Sequence, residues 1–78
     1  DNNHPAGYSS WIDFWERKTG RKAYSCSCVV CSNKAAVGAH VKMVYGQNSW
    51  YIVPLCYAHN SIGFDFSVNS EDLVPVNE

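Results

Sequence analysis

The stretch Cys26-Ser27-Cys28-Val29-Val30-Cys31, answered later by Cys56-Tyr57-Ala58-His59, decides how this chain folds. Three thiols fall within six residues, and twenty-four residues separate Cys31 from Cys56. Thiolate and imidazole are good ligands for zinc, which prefers four N/S donors in a tetrahedron. One ligand pair on a tight turn and a second at the start of a helix is the usual construction. Four cysteines also allow two disulfides in a secreted domain. Three cysteines this close together pair awkwardly, however, and His59 has no part in a disulfide scheme. We therefore expect zinc.

Cys31, Cys56 and His59 are three clear ligands. The fourth is Cys28, spaced C-x2-C, or Cys26, spaced C-x4-C. Spacing leaves both open, although two intervening residues make the commoner zinc turn. His40 is a further candidate, read otherwise as a hydrogen-bonded strand histidine. On the first turn of a helix, Cys56 and His59 meet free backbone N–H groups able to donate to a thiolate. Four protein ligands close a site, and a closed zinc holds the fold. Its binding energy is then folding energy.

Seventy-eight residues make one domain, 1–78, of a size that often needs a metal, disulfides or a partner. Three Trp, five Tyr and three Phe argue against disorder throughout. Six basic against seven acidic residues give no general pull toward nucleic acid. Arg17, Lys18, Arg21 and Lys22 nonetheless fall together as a local basic patch. No apolar run approaches the ~20 residues that span a bilayer, and no signal peptide is visible. We expect a cytoplasmic chain without membrane contact. It starts at Asp1 without Met, as expected of a trimmed chain or a piece of something larger.

Asp1 to Tyr8 reads as a frayed lead-in. Ser9 or Ser10 caps a helix from near Trp11, whose Trp11, Phe14 and Trp15 share one core-facing side, and Gly20 stops it. Ala23-Tyr24-Ser25 reads as a short strand. A strand from Ala35 to Tyr45, a turn at Gly46-Gln47-Asn48 and a strand from Ser49 to Val53 form an antiparallel hairpin, with Pro54 ending the second strand. A short helix from Leu55 carries Cys56 and His59, and Gly63 breaks it. Phe64, Phe66 and Val68 alternate, Asn69 to Asp72 reads as a turn, and Leu73-Val74-Pro75 follows, so the tail adds at most a short strand. The fold class is α+β: N-terminal helix, hairpin, short helix and extended tail around a zinc staple, treble-clef-like.

Cys26-x4-Cys31, Ala35, Gly38-Ala39-His40-Val41 and Tyr51-Ile52-Val53-Pro54-Leu55-Cys56-x-x-His59-Asn60 resemble the zinc-stapled branch of HNH nuclease domains, which have ββα-metal, treble-clef-like folds. The likeness covers about residues 26–60. The Gly-Ala-His-Val and Trp-Tyr-Ile-Val-Pro-Leu-Cys phrases also resemble a small zinc domain of bacterial proteins. The HNH resemblance implies a structural zinc on Cys26, Cys31, Cys56 and His59, because phage-type members often use the four-residue spacing. It implies that His40 stands where the family keeps its general base, activating water while a magnesium ion stabilises the leaving oxygen. It also implies that most catalytic cation ligands are gone. The family's acid before that histidine is here Ala39, its middle asparagine is Tyr51, and its last histidine is Asn60, whereas magnesium wants carboxylate oxygens.

The expected function is a zinc-binding structural or interaction module with a protein or nucleic acid as partner. The alternative is a magnesium- or manganese-dependent endonuclease with His40 as base. A variant of the first reading binds single strands through Trp50 and Tyr51 beside the basic patch. No motif points to a small-molecule substrate.

Overall fold

The computed structural model describes residues 5–46 and 48–76. Helix α1 (Trp11–Thr19) is followed by strands β1 (Val37–Lys42) and β2 (Trp50–Leu55), helix α2 (Tyr57–Ser61), a 3₁₀ turn (Ser70–Asp72) and strand β3 (Val74–Pro75). The strands form one antiparallel sheet in the order β1-β2-β3. The expected α+β layout is the observed one.

Helix α1 begins where its caps say it must. The Ser10 hydroxyl accepts from the Asp13 N–H at 3.0 Å, while the Asp13 carboxylate accepts from the Ser9 N–H at 3.1 Å. The first bond satisfies an N–H group that the first turn leaves open, and the second ties down the residue before the cap. Gly20 ends the helix with φ +72° and donates its N–H to the Glu16 carbonyl at 2.9 Å. Phe14 and Trp15 face inward, as their spacing predicts, and Trp11 is half-buried.

Strand β2 sorts the core into two. Side chains alternate across a sheet. Ile52 points to one face and packs with Phe14, Trp15 and Val74. Val53 and Leu55 point to the other and pack with Cys26, Cys28, Ala39 and Cys56. Ile52 and Val53 are wholly buried, and each such side chain contributes about 1.5–3 kcal/mol.

Several strand limits differ from the sequence reading. β1 spans Val37–Lys42, not 35–45. Ala35 donates its N–H to the Tyr24 carbonyl, and Lys42 already faces Trp50, the first residue of β2. β2 runs through Pro54 to Leu55. Residues 50, 52 and 54 turn their backbone groups to the same edge, where β3 covers only the start of β2. There the Pro54 carbonyl accepts from the Ser27 N–H at 2.8 Å, so the missing N–H costs no ladder bond. The expected strand at 23–25 is a single bridge from Ser25 to Lys34, and the alternation at 64–68 yields one bridge from Val68 to Cys28. The turn at 69–72 is the 3₁₀ turn, and α2 ends at Ser61, before Gly63. Gln47 in the hairpin turn and residues 1–4 of the lead-in lie outside the described residues.

Gly38 lets α1 sit against the hairpin. A Cβ there would stand 2.5 Å from the Ile12 nitrogen and the Trp11 carbonyl carbon, both backbone atoms that no rotamer change can move. Gly38→Ala is expected to lower the unfolding free energy by about 1–3 kcal/mol. Gly63→Ala adds a methyl that meets nothing within 4 Å and is expected to cost less than about 0.5 kcal/mol. Urea denaturation of the two variants checks the difference.

Candidate metal centre

The turn that carries the first two ligands is built by backbone pairing. Ser25 bridges Lys34, and the Cys26 N–H donates to the Asn33 carbonyl at 2.9 Å. The Cys31 N–H closes a tighter turn on the Cys28 carbonyl at 3.0 Å. The second pair sits at the end of β2. Cys56 is the N-cap of α2, and its sulfur accepts from the His59 N–H at 3.5 Å.

These elements bring Cys26, Cys31, Cys56 and His59 together, with all four donor atoms within 4.8 Å of one another. The Cys31 and Cys56 sulfurs are 3.9 Å apart. His59 Nδ1 lies 3.3 Å from the Cys56 sulfur and 3.8 Å from that of Cys26. All four cysteines are free thiols. Of the two candidates that spacing left open, Cys26 joins the cluster. Cys28 instead packs in the core on the side of the sheet that carries the cluster and bridges Val68 through its backbone.

The surroundings treat the sulfurs differently. The His59 backbone N–H, then its imidazole and the Asn33 side-chain amide, pull the Cys56 thiol down from the ordinary 9.0 to about 6. Burial pushes the Cys26 thiol up against the backbone hydrogen bonds it accepts. Asn33 donates its N–H to the Cys31 sulfur at 3.4 Å and its side-chain amide to the Cys56 sulfur at 3.7 Å. Its one legible signal in the sequence was its place two residues after a ligand cysteine. Phe66, edge-on to the His59 ring at 5.1 Å, also escaped the sequence reading.

His40 stands apart from this cluster. It pairs across the ladder with Ile52, whereas Ala39 pairs with Val53. Cross-strand partners share a face, so His40 lies on the α1 side of the sheet and the ligands lie on the other. Its exposed ring packs edge-on against Trp11 at 4.4 Å, with Trp50 at 6.2 Å. It lines a cavity of about 510 Å³ with Asn48, Ser49, Trp50 and Val76.

The basic patch is largely engaged within the chain. Arg17 pairs with Asp13 and lies over the Tyr8 ring. Lys18 lies over Phe14. Arg21 lies over Trp15 and binds Asp72 at 3.0 Å. Among the described residues, no helix is long and apolar enough to cross a membrane. Comparison of the chain with family models, with curated proteins and with solved structures returned no match.

Cys26→Ser is expected to lose metal, and Cys28→Ser to keep one ion per chain. Elemental mass spectrometry of the two purified variants checks this. The lowered pKa of Cys56 sets a pH window as well. In the metal-free fold, the stability this thiolate contributes is full above the ordinary thiol value near 9, is lost as pH falls, and is gone below about 6. Metal affinity follows the same direction, because protons displace the ion from its ligands. Metal release to a chelator should therefore become faster as pH falls.

Proposed function

We propose that this chain is a zinc-stapled interaction module, an HNH-like domain that has lost most of its catalytic cation ligands. The observation that carries the reading is the convergence of three sulfurs and one imidazole nitrogen. Zinc bound at ~2.3 Å to sulfur and ~2.0 Å to nitrogen in a tetrahedron sets ligand–ligand edges of about 3.8 Å for S···S and about 3.5 Å for S···N. The separations of 3.9, 3.8 and 3.3 Å lie close to those edges. Four protein donors leave no position for water, and such a zinc holds structure. Asn33 orients two of the sulfurs from behind, as outer hydrogen bonds do at metal sites.

The order of parts supports the HNH-like element of the proposal. A cysteine turn precedes a hairpin, and a second ligand pair opens the helix that follows. The family's catalytic cation has little to hold it in this chain. Ala39 is buried and offers no oxygen, and Tyr51 occupies the asparagine position. The partner of such a module is a protein or a nucleic acid.

An endonuclease with His40 as base is the second reading. What favours it is the exposed imidazole at the cavity with the Asn48 and Ser49 side chains beside it. An imidazole placed so can take a proton from water.

One zinc per chain, with loss of the cooperative fold on chelation, is the outcome expected of the module. A cooperative metal-free fold would overturn the structural role. Plasmid incubated in magnesium or manganese is expected to stay intact. Nicking that disappears in His40→Ala would replace the module with the nuclease.

A further inference from the structure

Ser27 sits between Cys26 and Cys28, and it is almost wholly buried. Each of its polar groups has a partner outside the cysteine turn. Its N–H donates to the Pro54 carbonyl at 2.8 Å, and its carbonyl accepts from the Asn69 N–H at 3.0 Å. Its hydroxyl donates to Asp72 Oδ2 at 2.7 Å. A short hydrogen bond from a hydroxyl to a carboxylate is charge-assisted and stronger than a neutral one.

Asp72 is in turn held from three directions. Its Oδ1 accepts from the Arg21 guanidinium at 3.0 Å. Its backbone carbonyl accepts from the Trp15 indole N–H at 2.7 Å. Its own N–H closes the 3₁₀ turn on the Asn69 carbonyl at 3.0 Å. Arg21 is itself braced across the Trp15 ring. Asp72 thus joins helix α1 through its backbone carbonyl, and Arg21 and the turn that presents Cys26 through its carboxylate.

The backbone bond from Ser27 to Pro54 points at the other ligands. Pro54 lies two residues before Cys56 on a strand that is buried on both faces. A shift of Ser27 therefore changes the spacing between Cys26 and the Cys56–His59 pair. Among the described residues no buried side-chain polar atom lacks a partner, so a shift of Ser27 strains bonds that are already made.

We infer that Asp72 is a positioning residue of the metal centre, acting through the Ser27 hydroxyl to hold Cys26 at ligand distance. This rests on the zinc reading proposed above. It adds a coupling: seating of the ion and docking of the tail onto α1 strengthen each other. Coupling of two binding events is reciprocal, so metal removal loosens the Asp72 contacts as loss of Asp72 loosens the metal.

The test uses the full chain loaded with zinc or with cobalt(II). Ser27→Ala removes the link and leaves the Arg21–Asp72 pair intact. Asp72→Ala removes it from the other side, and the double variant closes the cycle. Phe14→Leu serves as a control that weakens the α1 packing without touching the link. Two readouts are taken: the rate of zinc loss to excess chelator, and the cobalt–thiolate absorption at saturation.

Outer hydrogen bonds at metal sites are worth ~10–100-fold in affinity, so each single variant is expected to lose zinc about tenfold faster and to shift the cobalt bands. The double variant should be no worse than Asp72→Ala alone, because the link to Ser27 is already gone there. Phe14→Leu should leave the cobalt bands in place. The inference is overturned by a Ser27→Ala variant within about twofold of wild type with unchanged bands. Equal effects in Phe14→Leu, or a double variant equal to the product of the singles, would overturn it as well. If Asp72→Ala does not fold, Ser27→Ala decides alone. A wild-type chain that takes up neither ion defeats the zinc reading itself, whereas a metal-binding chain indifferent to Ser27→Ala defeats this inference only.

Discussion

A strand whose last four residues are buried on both faces is the constraint on which this molecule rests. β2 has no solvent side through Ile52, Val53, Pro54 and Leu55. One face needs a helix and the other needs the cysteine cluster, so neither layer can be removed without exposing the strand. A domain this small lacks the surplus apolar area to tolerate that loss. The ladder with β1 fixes which side chain serves which layer, since a one-residue slip would exchange the two faces. It is this register that places Ala39 with the sulfurs and His40 with Trp11.

The cluster itself is an electrostatic compromise. Sulfurs that bind a metal as thiolates repel one another unless a cation sits among them, whereas an imidazole ligates as the neutral ring. The fold prepares one of them in advance. Cys56 sits at a helix start where the His59 N–H and the Asn33 amide favour its thiolate. Cys26 is prepared in position but opposed in charge, because burial favours its neutral form. A metal ion removes that opposition, which is how ligand binding becomes folding stability in such sites.

What was legible in the sequence followed strong local rules. Ser10 and Gly20 marked the limits of α1, and Cys-x-x-His marked the helix start that bears two ligands. The strands were recognisable, but their limits were not. Pro54 reads locally as a strand terminator, yet the ladder tolerates it because its backbone faces an edge that β3 leaves open. The choice between Cys26 and Cys28 did not follow from spacing. In the fold the Ser25–Lys34 pairing and the Ser27 bonds flank Cys26, which joins the cluster, whereas Cys28 pairs with Val68. The basic run looked like an electrostatic surface, and only tertiary structure shows Arg21 spent on Asp72. Asp72 carried no signal at all, because its partners Trp15 and Ser27 lie 57 and 45 residues away.

Those separations bear on the order of events when the chain is made. Synthesis proceeds from the N-terminus at ~5–20 residues per second, and early segments are free to act before late ones exist. The four ligand residues are all present once His59 has emerged, while the carboxylate that locks Ser27 follows later. A nascent chain therefore has a complete set of donors before it has the brace that holds the first of them in place. The donors of the candidate site are thus complete before the residue that bonds to Ser27 has been made.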